Sequence, residues 1–387
     1  MLKLYLIKIS NLFRYLVQSV ILVILSSHVK KVNSQTLLLI RLDAIGDYIL
    51  LRNFIRIIKE KGKYRNYKIT LCGNLIWKEL AQTFDSDCID NFIWIDRKKF
   101  KNNFIYKYKF LKKIKSLGFD TAIDLTYSRE ILFGDSIIKA SNATERIGSE
   151  GSLDAYVKWK RKLFSDNYYT KLLPASSENL FEFFRNKEFF EKFLKEKLEI
   201  QKPFLDVSTI ALEYDLGNEY AVIFPGASEP EKIWEVNNFI KVAEYLISKN
   251  SLKIVIAGSS KEKTLGNEII NSLGCKNIDL TGKTSISELA KVIGSAKILI
   301  SNDTSAVHFA AAVNTPFVCV SNGNRFGRFH PYPIEVFDKG QYIYPPEIMS
   351  QLDNVELLNQ KYRFKSDLDI NSIHPEIVIN QIRKLLK

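Results

Sequence analysis

Three short stretches combine residue types and spacings that can do chemistry. Arg41-Leu-Asp-Ala-Ile-Gly-Asp47 sets Asp43 and Asp47 on one tight loop directly after an apolar run. Gly46 allows that loop to turn sharply and a ligand to approach the backbone. A carboxylate placed there can take a proton from a hydroxyl nucleophile. Asp47 also falls where the next helix begins, so an N-capping carboxylate is the structural alternative. Phe224-Pro-Gly-Ala-Ser-Glu-Pro-Glu-Lys-Ile-Trp234 opens with small residues and a hydroxyl, Gly226, Ala227 and Ser228. Such a loop offers amides to a phosphate, and Lys232 adds a point charge suited to a diphosphate. The Gly-x-x-x-x-Gly-Lys spacing of a Walker loop is absent, and a plain strand-to-helix turn is the alternative. In Ser301-Asn-Asp-Thr-Ser-Ala-Val-His308, Asp303, Thr304 and Ser305 can cap a helix whose amides face an anion. His308 lies one turn further in, on the face of Thr304. Two anion-binding loops on one sheet point to a nucleotide diphosphate.

These stretches need strands to carry them. Apolar runs at 36–40, 67–72, 91–95, 120–125 and 144–148 alternate with helical patterns at 47–60, 75–83, 104–117 and 129–140. Residues 150–175 read as irregular, a charged helix is expected over 177–198, and Gln201-Lys-Pro-Phe opens a linker to about 218. The plan then repeats. Strands are expected at 220–224, 253–257, 277–280, 297–301 and 316–320. Helices are expected at 235–249, 260–273, 285–295 and 305–313, with a closing helix at 374–387. Alternation of this kind implies parallel sheets of βαβ units, hence an α/β chain with two Rossmann-like domains, 36–217 and 218–387. Ligands of such sheets bind beyond the carboxyl ends of the strands, and two sheets would set the site in a central cleft.

Composition fits this reading. The 387 residues are 46% apolar and 26% charged, which excludes a disordered or polytopic membrane chain. Cys72, Cys88, Cys275 and Cys319 are scattered, with neither zinc-ligand nor disulfide spacing. Of the net charge of +13, residues 1–217 hold +12, from 37 Lys/Arg against 25 Asp/Glu. A basic half implies an anionic partner or, more simply, a solvated Lys-rich surface. No nucleic-acid-binding motif accompanies it. Residues 1–35 hold five basic side chains, no acid and the apolar run 15–25, too short to span a bilayer. They read as an amphipathic helix at a membrane interface, as a helix packed on the protein itself, or as a secretory signal whose Ser26-Ser27-His28 is a poor cleavage site. Asp85-Ser-Asp87 reads as a solvated turn and Asn322–Arg328 as a loop that touches phosphate or caps a strand.

Taken together and in this order, LLLIRLDAIGDYILLRNF, IFPGASEPEKIW, IDLTGKTSISELAKVIGSAKILISND and TSAVHFAAAVNTPFV resemble glycosyltransferase family 9, the heptosyltransferases of lipopolysaccharide core assembly. The resemblance covers about 36–335 and implies a GT-B-like fold, acceptor domain first and sugar-nucleotide domain second. It implies inverting transfer without a metal, from a donor such as ADP-heptose to an anionic glycolipid or glycan, at the inner face of the cytoplasmic membrane. Asp47 matches the proposed general base, with Arg41 and Asp43 beside it on the acceptor side. Ser228 and Lys232 match the diphosphate contacts, Asp303, Thr304 and His308 the diphospho-sugar contacts, and Glu262 an acidic donor residue. Ser305 stands where the family has glycine. The expected reaction is a single displacement in which Asp47 takes the acceptor proton. Lys232, His308 and the amides near Thr304 would offset the departing diphosphate. A sugar-nucleotide epimerase of the same fold, a membrane-associated nucleotide or carbohydrate-binding module, and a nucleic-acid binder are the competing readings. The closing helix either crosses back to the first domain, as the resemblance suggests, or packs on the second.

Overall fold

A computed structural model describes residues 2–26, 32–151, 155–274 and 276–387; Ser27, His28, Lys30, Lys31 and Cys275 lie outside them. The chain forms two compact units. The first comprises 1–48, 54–178 and 185–199, and the second 49–53, 179–184 and 200–387.

The first unit is built on six strands: β1 (Asn33–Arg41), β2 (Lys68–Asn74), β3 (Asn91–Ile95), β4 (Phe119–Asp124), β5 (Glu145–Ser149) and β6 (Lys171–Leu173). All pair in parallel, in the order β3-β2-β1-β4-β5-β6. The continuous run Leu37–Ile40 is wholly buried, as expected of a central parallel strand covered on both faces. The chain grows outward from β1 in one direction through β3 and in the other from β4, so β1 and β4 flank the topological switch point. Ligands of doubly wound sheets bind outside the carboxyl ends there. The loop 41–47 leaves β1 at that point.

The second unit repeats the arrangement with β7 (Tyr220–Phe224), β8 (Lys253–Ile256), β9 (Ile278–Asp279), β10 (Ile298–Asn302), β11 (Phe317–Val320) and β12 (Gly340–Ile343). Its order is β12-β11-β10-β7-β8-β9, again all parallel. Here β7 and β10 flank the switch point, and they launch the loops 224–234 and 302–305. Trp234, Phe239, Val242 and Leu246 close the core on one side of the sheet. The closing helix, Pro375–Leu385, adds Val378 and Ile382 to this same cluster, so it belongs to the second unit. Residues 179–184 are bound into this unit as well. Glu182 accepts from Arg328 Nε at 2.9 Å, and the Phe181 ring lies 4.7 Å from that of Tyr332.

Several boundaries differ from expectation. Residues 150–175 hold a helix, Ala155–Phe164, and the edge strand β6. The strand is three residues long, too short to show a period, and the four-residue β12 also lies outside the expected strands. The helix expected over 129–140 starts only at Gly134, and the long charged helix is Glu182–Leu194. Asp85 is not in a solvated turn: it is buried and accepts a 2.7 Å hydrogen bond from Tyr48 Oη, while Asp87 does stay exposed, paired with Arg56. The N-terminal segment is one helix, Leu2–Ser26, and no described helix is long and apolar enough to cross a membrane. Cys72, Cys88 and Cys319 are buried, and none forms a disulfide among the described residues.

Candidate active site

In the second unit, the loop after β7 and the loop after β10 are tied by Asn302, the last residue of β10. Its amide donates to the Pro225 carbonyl at 2.7 Å, and its Oδ1 accepts from Trp234 N at 3.2 Å. The two loops therefore move as one piece. Lys232 ends a 3₁₀ turn, Pro230–Lys232, and its Nζ stands 3.3 Å from Asp303 Oδ2. Both side chains are about 10% exposed, at 11% and 9%. Burial alone would raise the Asp303 carboxyl, but His330, Lys232 and His308 around it more than offset that and hold it below the ordinary carboxylate range. Ser228 is exposed on the same loop.

Thr304 is the N-cap of the helix Ser305–Ala312, its hydroxyl accepting from Ala306 N at 3.2 Å. That bond uses one of the free amides at the helix start. Ser305 is the first residue of the helix. His308 is buried, and its Nδ1 shares a 2.8 Å hydrogen bond with Tyr332 Oη. Burial lowers its pKa to about 4, so it is neutral near pH 7. In this structure it is a neutral hydrogen-bonding group. Glu262 is half-buried after β8. Its carboxylate closes a capping box, accepting from Ser259 N at 2.7 Å and from Ser259 Oγ at 2.6 Å. Its stem lies against Gly226, where a Cβ would overlap Glu262 Cγ. Glycine is needed at that position for this contact.

His330 was not among the residues singled out from the sequence. It is fully buried, 2.8 Å from Asn324 O and 3.0 Å from Tyr344 Oη, with Nε2 3.8 Å from Asp303 Oδ2. Since a carbonyl only accepts, Nε2 carries the proton and Nδ1 accepts from Tyr344. Nothing local in Phe329-His330-Pro331 announces this role. The 322–328 loop braces the site: Asn322 donates to Glu231 O at 3.3 Å, and Arg328 is held by Glu182.

In the first unit, Arg41 is completely buried at the end of β1. Its Nη1 donates to Leu125 O at 2.7 Å and to Asn186 Oδ1 at 3.3 Å. Its Nε lies 2.9 Å from Asp43 and its Nη2 3.5 Å from Asp47. One fixed guanidinium thus gathers both candidate bases, which keep 19% and 15% exposure. The helix that follows, Ile45–Glu60, takes Ala44 as its N-cap. Asp47 sits inside the first turn rather than at the cap, where it still suits the helix dipole. Arg97 pairs with Glu130 at 2.8 Å and donates to Leu42 O, extending the charged cluster. Burial, with Asp43 among the further causes, raises the Glu130 carboxyl despite Arg97. Deeper in the unit, Asp124 ends β4, accepting from Thr126 N and Tyr169 Oη. Burial, and then Asp135, push it up to about 7.

Among the described residues no group of three or more His, Cys, Asp or Glu is placed to hold a metal ion. A family model described as glycosyltransferase family 9 (heptosyltransferase) matches residues 108–336. Lipopolysaccharide heptosyltransferase 2 of Escherichia coli K12 is 32% identical over 117 residues, 28% of this chain and 33% of that protein. Lipopolysaccharide heptosyltransferase 1 of Campylobacter coli is 23% identical over 242 residues, 58% of this chain and 67% of that protein. The first of these matches thus spans about a third of the relative's length. Among solved structures, a glycosyltransferase family 9 protein of Veillonella parvula superposes with a TM-score of 0.68 at 18% identity, covering 92% of this chain and 98% of that one. Escherichia coli heptosyltransferase WaaC with ADP-2-deoxy-2-fluoro heptose gives 0.67 at 13% identity, covering 90% and 99%. At these identities the likeness establishes a shared GT-B-like fold of two Rossmann-like domains.

Proposed function

The chain belongs to glycosyltransferase family 9, and from that premise we propose that it transfers a heptose from ADP-heptose to a hydroxyl of a lipopolysaccharide-core or related glycan. The observation that carries this reading is the Lys232–Asp303 pair at the second sheet's switch point, locked by Asn302 beside the glycine-opened loop. The second unit would hold the donor. Lys232 has three N–H donors, of which Asp303 takes one; the others and the loop amides suit the two phosphates. Asp303 and Thr304 suit the sugar hydroxyls, and Glu262 the nucleoside side of the loop.

The first unit would supply the base. Asp47 takes the proton of the acceptor hydroxyl as its oxygen bonds to the anomeric carbon. The bond from that carbon to the diphosphate oxygen breaks, configuration inverts, and ADP leaves with the bonding pair. Lys232 and the hydrogen-bond donors around it meet the charge that develops, without a metal ion. Neutral His308 contributes a hydrogen bond and not a charge. The same reading sets the reaction at the cytoplasmic face of the inner membrane, where an anionic glycolipid would meet the basic first half.

Calorimetry of the purified protein against ADP-heptose, and GDP-, UDP- and dTDP-sugars, tests this. Saturable binding that Lys232→Ala weakens and Asp47→Asn spares, with Asp47→Asn abolishing turnover, is the expected result. Silence across the panel would overturn the donor assignment.

A further inference from the structure

The N-terminal helix Leu2–Ser26 has two apolar faces with different fates. One is docked: Ile21, Leu22 and Leu25 join the core of the first unit, and Gln18 is fully buried. Gln18 donates to Ile131 O at 2.9 Å and accepts from Lys107 Nζ at 2.5 Å. The opposite face carries Leu12, Leu16, Val20 and Val23, at 60, 55, 58 and 68% exposure. Spaced by four, four and three residues, they form a continuous stripe. Trp159 and Leu163, 59 and 58% exposed, come from the helix Ala155–Phe164, whose Phe164 ring lies 4.7 Å from Tyr15. A monomer rarely leaves such a stripe bare without a use.

The surroundings say what the use is. The N-terminal helix meets Arg97–Asn102 through Arg14 and Asn102, and Phe104–Leu117 through Phe13 and Phe104. With Ala155–Phe164 these four helices carry three, four, five and four Lys or Arg, in chain order, and not one Asp or Glu. Lys107, Lys115 and Arg161 are buried and Arg97 pairs with Glu130, while eight lysines on these helices are exposed among the described side chains. Lys101, Lys112, Lys113 and Lys162 are exposed on the helices that the N-terminal helix touches. We infer that this helix cluster is a docking surface for a bilayer carrying anionic phospholipid. The stripe enters the acyl boundary, Trp159 lies at headgroup depth, and the lysines meet the phosphates. A second copy of the chain would bring a like-charged surface against this one, and a nucleic acid would leave the aliphatic stripe bare.

The test uses the full chain and sedimentation with phosphatidylcholine vesicles, with and without phosphatidylglycerol; no donor or turnover is needed, so it stands apart from the transfer reaction. Binding is expected only with phosphatidylglycerol. Val20→Asp with Val23→Asp is expected to weaken it at least about tenfold, and each of Lys112→Glu and Lys113→Glu by about fivefold or more. Brominated lipid should quench the emission that Trp159→Phe removes. An unchanged melting temperature certifies each variant as folded. The inference fails if neither vesicle binds, or if binding ignores the aspartate pair while Trp159 stays unquenched. It also fails if the aspartate pair merely dissociates a dimer, or if the surface retains duplex DNA in preference to vesicles.

Discussion

Removing the Lys232 ammonium should change how stability responds to pH, and the sign can be worked out. At 3.3 Å and an effective dielectric constant of about 20, the Lys232–Asp303 attraction is about 5 kcal/mol before desolvation is charged against it. The net cost of leaving one partner behind in a site this closed is about 1–3 kcal/mol. In the native protein Asp303 sits below its ordinary pKa, so its contribution is present above that value and lost as pH falls through the lowered one. In Lys232→Met, His330, the foremost of the groups that lower this carboxyl, and His308 remain, and only the share of Lys232 is lost. The carboxyl then moves up from its lowered value, and the stability it contributes above that value shrinks. The gap between native protein and variant should therefore widen from pH 4 to pH 7, reaching about 2–10 °C in melting temperature. Asp303→Asn in the same background should recover most of it, giving a coupling energy of about 1–3 kcal/mol. By calorimetry, Lys232→Met should weaken ADP at least about tenfold, while Asp303→Asn leaves ADP within about threefold. A gap of equal size at both pH values, or unchanged ADP affinity in Lys232→Met, would refute the reasoning.

Three further outcomes follow from other features. Gly226→Ala forces its methyl against Glu262, so melting should drop by about 1–3 kcal/mol equivalent and donor affinity should fall with it. Asp124 is raised to about 7, so its contribution is fully present in acid and lost as pH climbs through 7. Asp124→Asn should flatten the fall in stability between pH 5 and 8 by about 1–4 kcal/mol in urea titrations. Because His308 titrates near 4, donor binding should hold constant from pH 8 to 6, and His308→Gln should leave that profile flat while lowering affinity.

The strand-end loops were legible because each follows a continuous apolar run that only a buried parallel strand explains. Leu37–Ile40 and Tyr220–Phe224 locate Arg41–Asp47 and Phe224–Trp234 at carboxyl ends before any contact is known. Asp303 was readable for the same reason, whereas the part of Asn302 in tying the two loops was not. What escaped was whatever depends on contacts distant in sequence. His330 reaches Asp303 across 27 positions, and Tyr332 reaches His308 across 24. No local pattern encodes either approach. The neutral state of His308 was not readable because charge state follows burial, which a motif does not state. The N-terminal helix was read as packed on the protein, as lying at a membrane interface or as a secretory signal; Gln18 is buried and Val20 exposed on opposite sides of one helix.

The second unit is stitched from three stretches, with 49–53 supplied far upstream of 200–387 and 179–184 shortly before it. It is therefore not a cassette. A chimera joined at residue 200 would pair Arg328 with whatever its new N-terminal half holds in place of Glu182, and would strip Phe181 from Tyr332, the partner of His308. Recombination that exchanges donor preference between relatives should favour junctions before residue 179, with 49–53 inherited alongside. During synthesis, those two patches leave the ribosome before the strands that will receive them, so the C-terminal half completes itself on pieces already in place.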